Sequence, residues 1–185
     1  MDYKLTIKFL QRFKKIVPIY KIQIFSNEIS IFLNKKFLLN TLTFLKNNLL
    51  SQFKILTSIS GVDYPERSNR FEVVYDFLSL KFNNRLRVKL FVHELSFTDT
   101  IHLLYPAANW YECEVWDMYG VFFKDHSNLR RILTDYGFEG HPLRKDFPLS
   151  GFIEVKYSDL RKRVLNEPLE LAQEYRTFDF FSPWV

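Results

Sequence analysis

Residue types that can do chemistry crowd into one stretch, Asn109 to Gly151, which reads NWYECEVWDMYGVFFKDHSNLRRILTDYGFEGHPLRKDFPLSG. It holds two of the three Trp, two of the four His, the only Cys and four of the five Gly, so aromatic anchors, carboxylates and guanidinium groups must meet there. Paired carboxylates can hold a divalent cation or act as acid and base. Glu114 and Asp117, three apart on a predicted helix, share a face, whereas Glu112 points elsewhere because residues two apart do not meet. One reading of these groups is a metal-dependent hydrolase using Glu114, Asp117 and His126. Against it, Arg130, Arg131, Arg144 and Lys145 follow closely and can neutralise acids, with Asp135, Glu139 and Asp146 as further partners. Structural charge pairing is therefore the expectation, and no metal ligand is assigned.

The remaining chemistries fail on residue type or spacing. His126, His141 and Cys113 show no H-x-x-x-H or C-x-x-C pattern, which argues against zinc. An iron–sulfur cluster needs about four Cys ligands, and this chain has Cys113 alone. Cys113 falls inside the predicted helix among bulky aromatics, where a thiol packs rather than reacts. Neither G-x-G-x-x-G nor G-x-x-x-x-G-K-[ST] occurs, so no nucleotide fingerprint is present. No catalytic and no cofactor-binding residue is assigned.

What the stretch does offer is a surface. Leu129, Ile132 and Leu133 give a short apolar face that cannot include both Arg130 and Arg131. Gly137 and Gly140 mark turns ahead of His141. Pro142 and Pro148 bracket Leu143-Arg144-Lys145-Asp146-Phe147, which is expected to run extended and to display charges between apolar anchors to a partner chain. From the residues alone this is an interaction subunit.

The elements that must position this stretch read as an α+β domain over residues 1–150, with a tail from 151 to 185. Ile7, Leu10, Phe13 and Ile16 recur at helical spacing until Pro18. Tyr20–Ile24 and Ile29–Leu33 alternate around Ser26-Asn27 as a hairpin. Asn34 can cap a helix through about Leu50 that buries Phe37, Leu38, Leu42 and Leu45. After an Asp63–Arg67 loop, Phe71, Val73, Tyr75 and Phe77 share one face. Past Asn83-Asn84, Leu86, Val88, Leu90 and Val92 face inward while Arg85, Arg87 and Lys89 face water. A helix interrupted near Pro106 is expected next, continuing over Asn109–Tyr119. Helices on one face of a mainly antiparallel sheet follow from this order. The charged tail ends in FDFFSPWV, which suggests a strap laid on another surface.

Composition sets outer limits. The chain's 185 residues, 47% apolar with twenty Phe and ten Tyr, are ample for a core and rich in aromatics for a free monomer. Residues 1–60 carry ten Lys or Arg against two acids, Asp2 and Glu28, which leaves a slightly acidic remainder. That basic third reads as a solvated face, with RNA binding as the alternative function. Met1 to Ile16 is basic and amphipathic like a transit peptide, but it is Lys-rich and Ser-poor and reads as a first helix; an organellar location then requires synthesis inside the organelle. No apolar run approaches the roughly 18 residues of a membrane span.

Three blocks carry a resemblance: Trp110-Tyr111-Glu112-Cys113-Glu114-Val115-Trp116-Asp117-Met118-Tyr119-Gly120; His126-x-x-Leu129-Arg130-Arg131-Ile132-Leu133; and Gly140-His141-Pro142-Leu143-Arg144-Lys145-Asp146-Phe147-Pro148-Leu149 with Gly151. They closely resemble the thirty-kilodalton subunit family of respiratory complex I, which has mitochondrial and bacterial members. Glu167-Pro168 and Arg176-x-Phe178-Asp179-x-x-Ser182-Pro183-Trp184 look like the mitochondrial form, and residues 1–60 match only in pattern. Cys113 departs from the family's Arg between the two Glu, which puts local ion pairing in question. The resemblance implies a non-catalytic core subunit of the peripheral arm, in the quinone-reducing module of NADH:ubiquinone oxidoreductase. It implies FMN and iron–sulfur clusters carried by other subunits, and docking on the hydrogenase-like large subunit. It also implies a hetero-oligomer without nucleic acid or membrane span, on the matrix side of the mitochondrial inner membrane, and for this chain organelle encoding.

Overall fold

Alternation of apolar and polar residues puts one face of each main strand in a common core. The computed structural model describes residues 13–14, 16–26, 28–171, 173, 176 and 178, which form two compact units, 1–146 and 147–185. In the first unit, β1 (Ile19–Phe25) and β2 (Glu28–Leu33) form an antiparallel hairpin. β4 (Phe71–Ser79) and β5 (Asn84–Val92) pair antiparallel from Phe71 opposite Val92 to Ser79 opposite Asn84. β3 (Ile55–Asp63) borders β4, and β2 lies parallel to β5, so the sheet order is β1-β2-β5-β4-β3. The register stacks Ile31, Val88, Tyr75 and Ile59 in one row, and Leu33, Leu90, Val73 and Gly61 in the next.

Helix α1 (Leu38–Asn47) and helix α2 (Ala108–Tyr119) cover that face. Leu38, Leu42 and Leu45 from α1 join Ala108 and Val115 from α2 in one buried cluster with the sheet residues. Each fully buried Leu, Val or Phe contributes on the order of 2 kcal/mol relative to exposure. On the other face of the sheet, Phe32 stacks on Phe91 at 5.5 Å. Lys21 and Lys89 lie over the Phe32 ring and Lys89 reaches Glu72 at 2.8 Å, while two residues along β5 Arg87 reaches Asp76 at 2.8 Å and Glu28 at 3.2 Å. Their aliphatic stems shield the sheet while the ends stay wet. The α+β class is as expected.

Several boundaries differ from expectation. The first helix falls largely outside the described residues, although Phe13 and Val17 are buried in the core. A 3-10 turn, Lys35–Phe37, precedes α1; Asn34 Oδ1 accepts from the Lys36 amide at 3.2 Å, and Phe37 is left exposed. β3 was not foreseen because its Ser, Thr and Gly residues and a register shift between Leu56 and Ser58 blur the alternation. The helix expected between Val92 and Pro106 is replaced by a turn at His93–Ser96 and by β6 (Phe97–Asp99). β6 pairs in parallel with β7 (Phe122–Lys124), a partner beyond α2 that no local pattern announces.

In the second unit the expected extended tail is a hairpin of β8 (Ile153–Ser158) and β9 (Arg163–Pro168). Ile153, Val155, Tyr157 and Val164 are exposed on it. The FDFFSPWV end lies almost wholly outside the described residues.

Candidate functional site

Helix α2 ends at Gly120, whose φ of 79° is the left-handed value that favours glycine, and whose amide bonds the Trp116 carbonyl. A Cβ there would lie 2.5 Å from Arg144 Nη2 and 2.6 Å from His141 Nε2, so a side chain is excluded on both counts. Helix C-termini leave carbonyls without intrahelical partners. Here the 141–144 segment supplies them in succession. His141 Nδ1 donates to the Asp117 carbonyl at 3.0 Å, the Leu143 amide to Met118 at 3.1 Å, and Arg144 Nε to Tyr119 at 2.7 Å. Burial holds the His141 imidazole below its ordinary pKa, and with its neutral ring it serves as a capping donor.

The segment is turned, not extended as its prolines suggested. The Arg144 amide bonds the His141 carbonyl at 3.2 Å, with Pro142 at the second position of the turn, where its fixed φ suits a type I or II turn.

The Asp117 side chain organises a second turn. Oδ2 accepts from the amides of Ile132, Leu133 and Thr134 at 3.1, 2.9 and 3.0 Å. Oδ1 accepts from the Thr134 hydroxyl at 2.7 Å and from Arg131 Nη1 at 3.0 Å. Burial alone pushes this carboxyl up, but the donors outweigh it and hold it down to about 2. Arg131 also donates to the Gly140 carbonyl at 3.0 Å and lies over the Trp116 ring, which ties the two turns together.

A third anchor joins these turns to the sheet. Asp63, at the end of β3, takes Arg70 Nε at 2.7 Å and Arg70 Nη2 at 2.9 Å, and also accepts from the Lys145 amide at 2.8 Å. The Arg70 bond lowers the Asp63 carboxyl pKa against the effect of burial. Arg70 reaches Asp146 at 3.0 Å, and Arg144 reaches Glu94 at 2.7 Å. Both guanidinium groups lie over the Phe71 ring.

Each predicted site residue therefore has a place. Asp117, Gly120, Arg131, Gly140, His141, Pro142, Arg144, Lys145 and Asp146 build one internal clasp, and Leu129 packs against the core. Trp110, Glu114, Arg130 and Pro148 are exposed, with Pro148 in the second unit. Glu114 and Asp117 do not share a site, since one faces solvent and the other is fully buried. Arg131 pairs with Asp117 as expected, whereas Arg144 pairs with Glu94 and Asp146 with Arg70, and neither Asp135 nor Glu139 takes part in these pairs. Asp63, Arg70, Glu94 and Thr134 were missed. Three of them reach the motif from 50 to 82 residues away, or bond residues that do, and no local spacing reports such contacts.

Glu112 is buried on another side of α2. Oε1 accepts from the Ile101 amide at 2.8 Å, Oε2 bonds the Thr100 hydroxyl, and His126 Nε2 lies 3.6 Å from Oε2. Burial, only partly offset by those bonds, raises this carboxyl to about 7. Ligand atoms of His102, Glu112 and His126 lie within 4.8 Å of one another. The donor set nonetheless does not suit a metal ion. The Asn128 amide donates to His126 Nδ1 at 3.1 Å, so the ring proton sits on Nε2, the atom facing Glu112, and is shared with the Asn109 carbonyl at 3.3 Å. A metal-bound histidine shows the reverse, with its outer nitrogen as donor. Cys113 is buried, with Sγ 3.5 Å from the Asn128 carbonyl beside a recess of about 60 Å³.

Fold and site together define an α+β domain whose motif residues clamp their own chain and leave large apolar side chains, among them Trp110, Leu133, Tyr136 and Leu143, facing outward. The chain belongs to the family described as the respiratory-chain NADH dehydrogenase 30 kD subunit, which matches residues 31–153. It is 55% identical over 151 residues to NADH dehydrogenase [ubiquinone] iron-sulfur protein 3 of Beta trigyna, covering 82% of this chain and 79% of that protein. It is 54% identical to the protein of that name from Solanum tuberosum, with 82% and 80% covered. To an NADH-quinone oxidoreductase subunit of Chelativorans sp. (strain BNC1) it is 55% identical over 158 residues, with 85% and 79% covered. Although two of these names include an iron–sulfur protein, one buried thiol cannot supply the ligands of a cluster.

Proposed function

We propose that this chain is a core subunit of the peripheral arm of proton-pumping NADH:ubiquinone oxidoreductase, supporting electron transfer from NADH to ubiquinone without an active site of its own. The observation that carries this reading is how the family motif is used. Asp117, Arg131, His141 and Arg144 are engaged inside the chain around the end of α2, while Trp110, Leu133, Tyr136 and Leu143 face outward. Rigid polar framing around exposed aromatic and aliphatic anchors is what a docking subunit requires. Membership of the 30 kD family agrees with it.

Within that role, the partner we infer is the hydrogenase-like large subunit of the quinone module. The place is the matrix side of the mitochondrial inner membrane, with the chain encoded in the organelle, and FMN and iron–sulfur clusters reside on other subunits. Among the described residues no helix is long and apolar enough to cross a membrane. The test is an affinity-tagged copy resolved on a native gel. Migration with a very large NADH-oxidising complex is expected; a complex that assembles and reduces quinone at normal rates without this chain would overturn the reading.

A further inference from the structure

The buried carboxylate that the clasp does not use lies at one end of a hydrogen-bonded chain. Glu112, Thr98 and Thr100 are buried, whereas His102 is only half-buried and reaches solvent. Thr100 Oγ1 bonds Glu112 Oε2 on one side and lies 2.9 Å from His102 Nδ1 on the other. A hydroxyl owns one proton and can either donate it or accept another, so it can face Glu112 and His102 in two opposite senses. We propose that the Thr100 hydroxyl is a proton relay, passing one proton between solvent-reachable His102 and buried Glu112.

The step balances within three side chains. With Glu112 neutral, its Oε2–H donates to Thr100 Oγ1, and Thr100 donates its own proton to His102 Nδ1. Transfer moves the Glu112 proton onto Thr100 as the Thr100 proton moves onto Nδ1, leaving a carboxylate, an unchanged hydroxyl and an imidazolium. The reverse shift restores the start. Oε1 takes no part, because it accepts the Ile101 amide and has no proton to give, so the acid proton sits on Oε2, toward Thr100.

The surroundings favour a proton over other occupants. The charged or titratable groups facing Glu112 come from three elements besides its own. They are His126 after β7 at 3.6 Å, His102 through Thr100 after β6, and Tyr75 on β4, whose phenol is raised by burial and by Glu112. Asp99 on β6 acts on Tyr75 in the same sense. No Lys or Arg pairs with Glu112 among the described residues, and a buried carboxylate without a cation gains most by holding a proton. His126 stays neutral, its imidazole pKa lowered by burial and by His102. Because Ile101 and Thr100 both bond Glu112, the proton sets how tightly the 100–102 turn holds α2.

The experiment uses the full chain with carbon-13 Glu and nitrogen-15 His. At about pH 6, below the raised Glu112 value, infrared spectra are expected to show a buried carboxylic-acid C=O stretch that Glu112→Gln removes. The His102 ring-nitrogen signals should titrate with the midpoint of that band, as coupled groups do. Thr100→Val should separate the two midpoints, and Thr100→Ser should reunite them. Three results overturn the proposal: a Glu112 band absent at every pH above about 5, separate midpoints in the unsubstituted chain, or one equivalent of bound zinc that Glu112→Gln abolishes. If Thr100→Val does not fold, the midpoints in the unsubstituted chain decide alone.

Discussion

The Asp117 carboxylate occupies the turn that ends at Thr134, taking that residue's amide at 3.0 Å and its hydroxyl at 2.7 Å. Five donors converge on one buried side chain, and its own backbone carbonyl meanwhile receives His141. Asp117 is thus the point where the helix, the 131–134 turn and the 141–144 turn are held in register.

Replacing that carboxylate should be costly. Asp117→Asn keeps the shape but gives the three amides a neutral acceptor and points an NH2 group at donors. We expect a loss of about 3 kcal/mol, the range for breaking a buried charged network. Urea unfolding of the full chain measures it, and a change under about 0.5 kcal/mol, typical of a surface site, would contradict this account.

Arg144 and Asp146 should differ. Arg144 caps Tyr119, pairs with Glu94 and lies over Phe71, whereas exposed Asp146 only adds to an Arg70 already held by Asp63. Arg144→Ala is expected to cost about 2–3 kcal/mol and to lower the amount of assembled NADH-oxidising complex. Asp146→Ala should cost about 0.5 kcal/mol, as exposed pairs do. Equal assembly defects in quantitative native gels would count against this ranking.

Gly61 should tolerate no side chain. A Cβ would fall 2.5 Å from Tyr119 Cδ2, because the ring lies directly on the β3 backbone. Gly61→Ala should therefore lower stability by about 2 kcal/mol, the usual cost of overpacking. Thermal unfolding reads the effect, and an unchanged midpoint would mean that the ring moves aside freely.

Tyr75→Phe should go the other way. The Tyr75 hydroxyl is buried beside the Thr98 hydroxyl, and among the described residues neither makes a well-formed hydrogen bond. Removing a polar atom that has lost its water without forming a bond should leave stability equal or higher by about 1 kcal/mol. A marked loss in the same unfolding assay would reveal a bond made in solution.

Stability should also depend on pH through two carboxyls of opposite sense. Asp117 is held down to about 2 from 3.8, so its contribution is full above about 3.8 and drains as pH falls through about 2. Glu112 is held up at about 7 from 4.5, so the folded chain binds its proton more tightly than the unfolded one. Its contribution is full below about 4.5 and is lost as pH rises through about 7. His126 and His141, both held low, work against that loss, so the difference curve between the unsubstituted chain and Glu112→Gln is the clean measurement. A flat difference between about pH 4.5 and 7 would show that Glu112 titrates normally.

Much of this architecture was legible because its signals are local. The Phe71–Phe77 and Leu86–Val92 alternations found their hairpin, and the Asn109–Tyr119 pattern found its helix. What stayed hidden depends on distant partners. β6 exists because Phe97 meets Phe122 across α2, and Thr100, His102 and Glu112 come together only once that strand and the helix are docked. The bracketing prolines misled for a related reason. Proline disfavours helix in the residue before it, but turn or extension is decided by what the amides bond, here the end of α2.

The parallel pairing of β2 with β5 has a consequence for how the chain comes together. Ser30 finds Arg87 only after α1, β3 and the whole β4–β5 hairpin have intervened. Closing so long a loop costs entropy that local contacts must first offset, so the β3–β4–β5 meander is the natural nucleus and the amino-terminal hairpin joins late. On the ribosome, β1 and β2 emerge first yet wait longest, with an apolar edge that has no mate. Lys21 on β1 and Lys35 and Lys36 just beyond β2 put positive charge beside that waiting edge, which disfavours pairing with another chain.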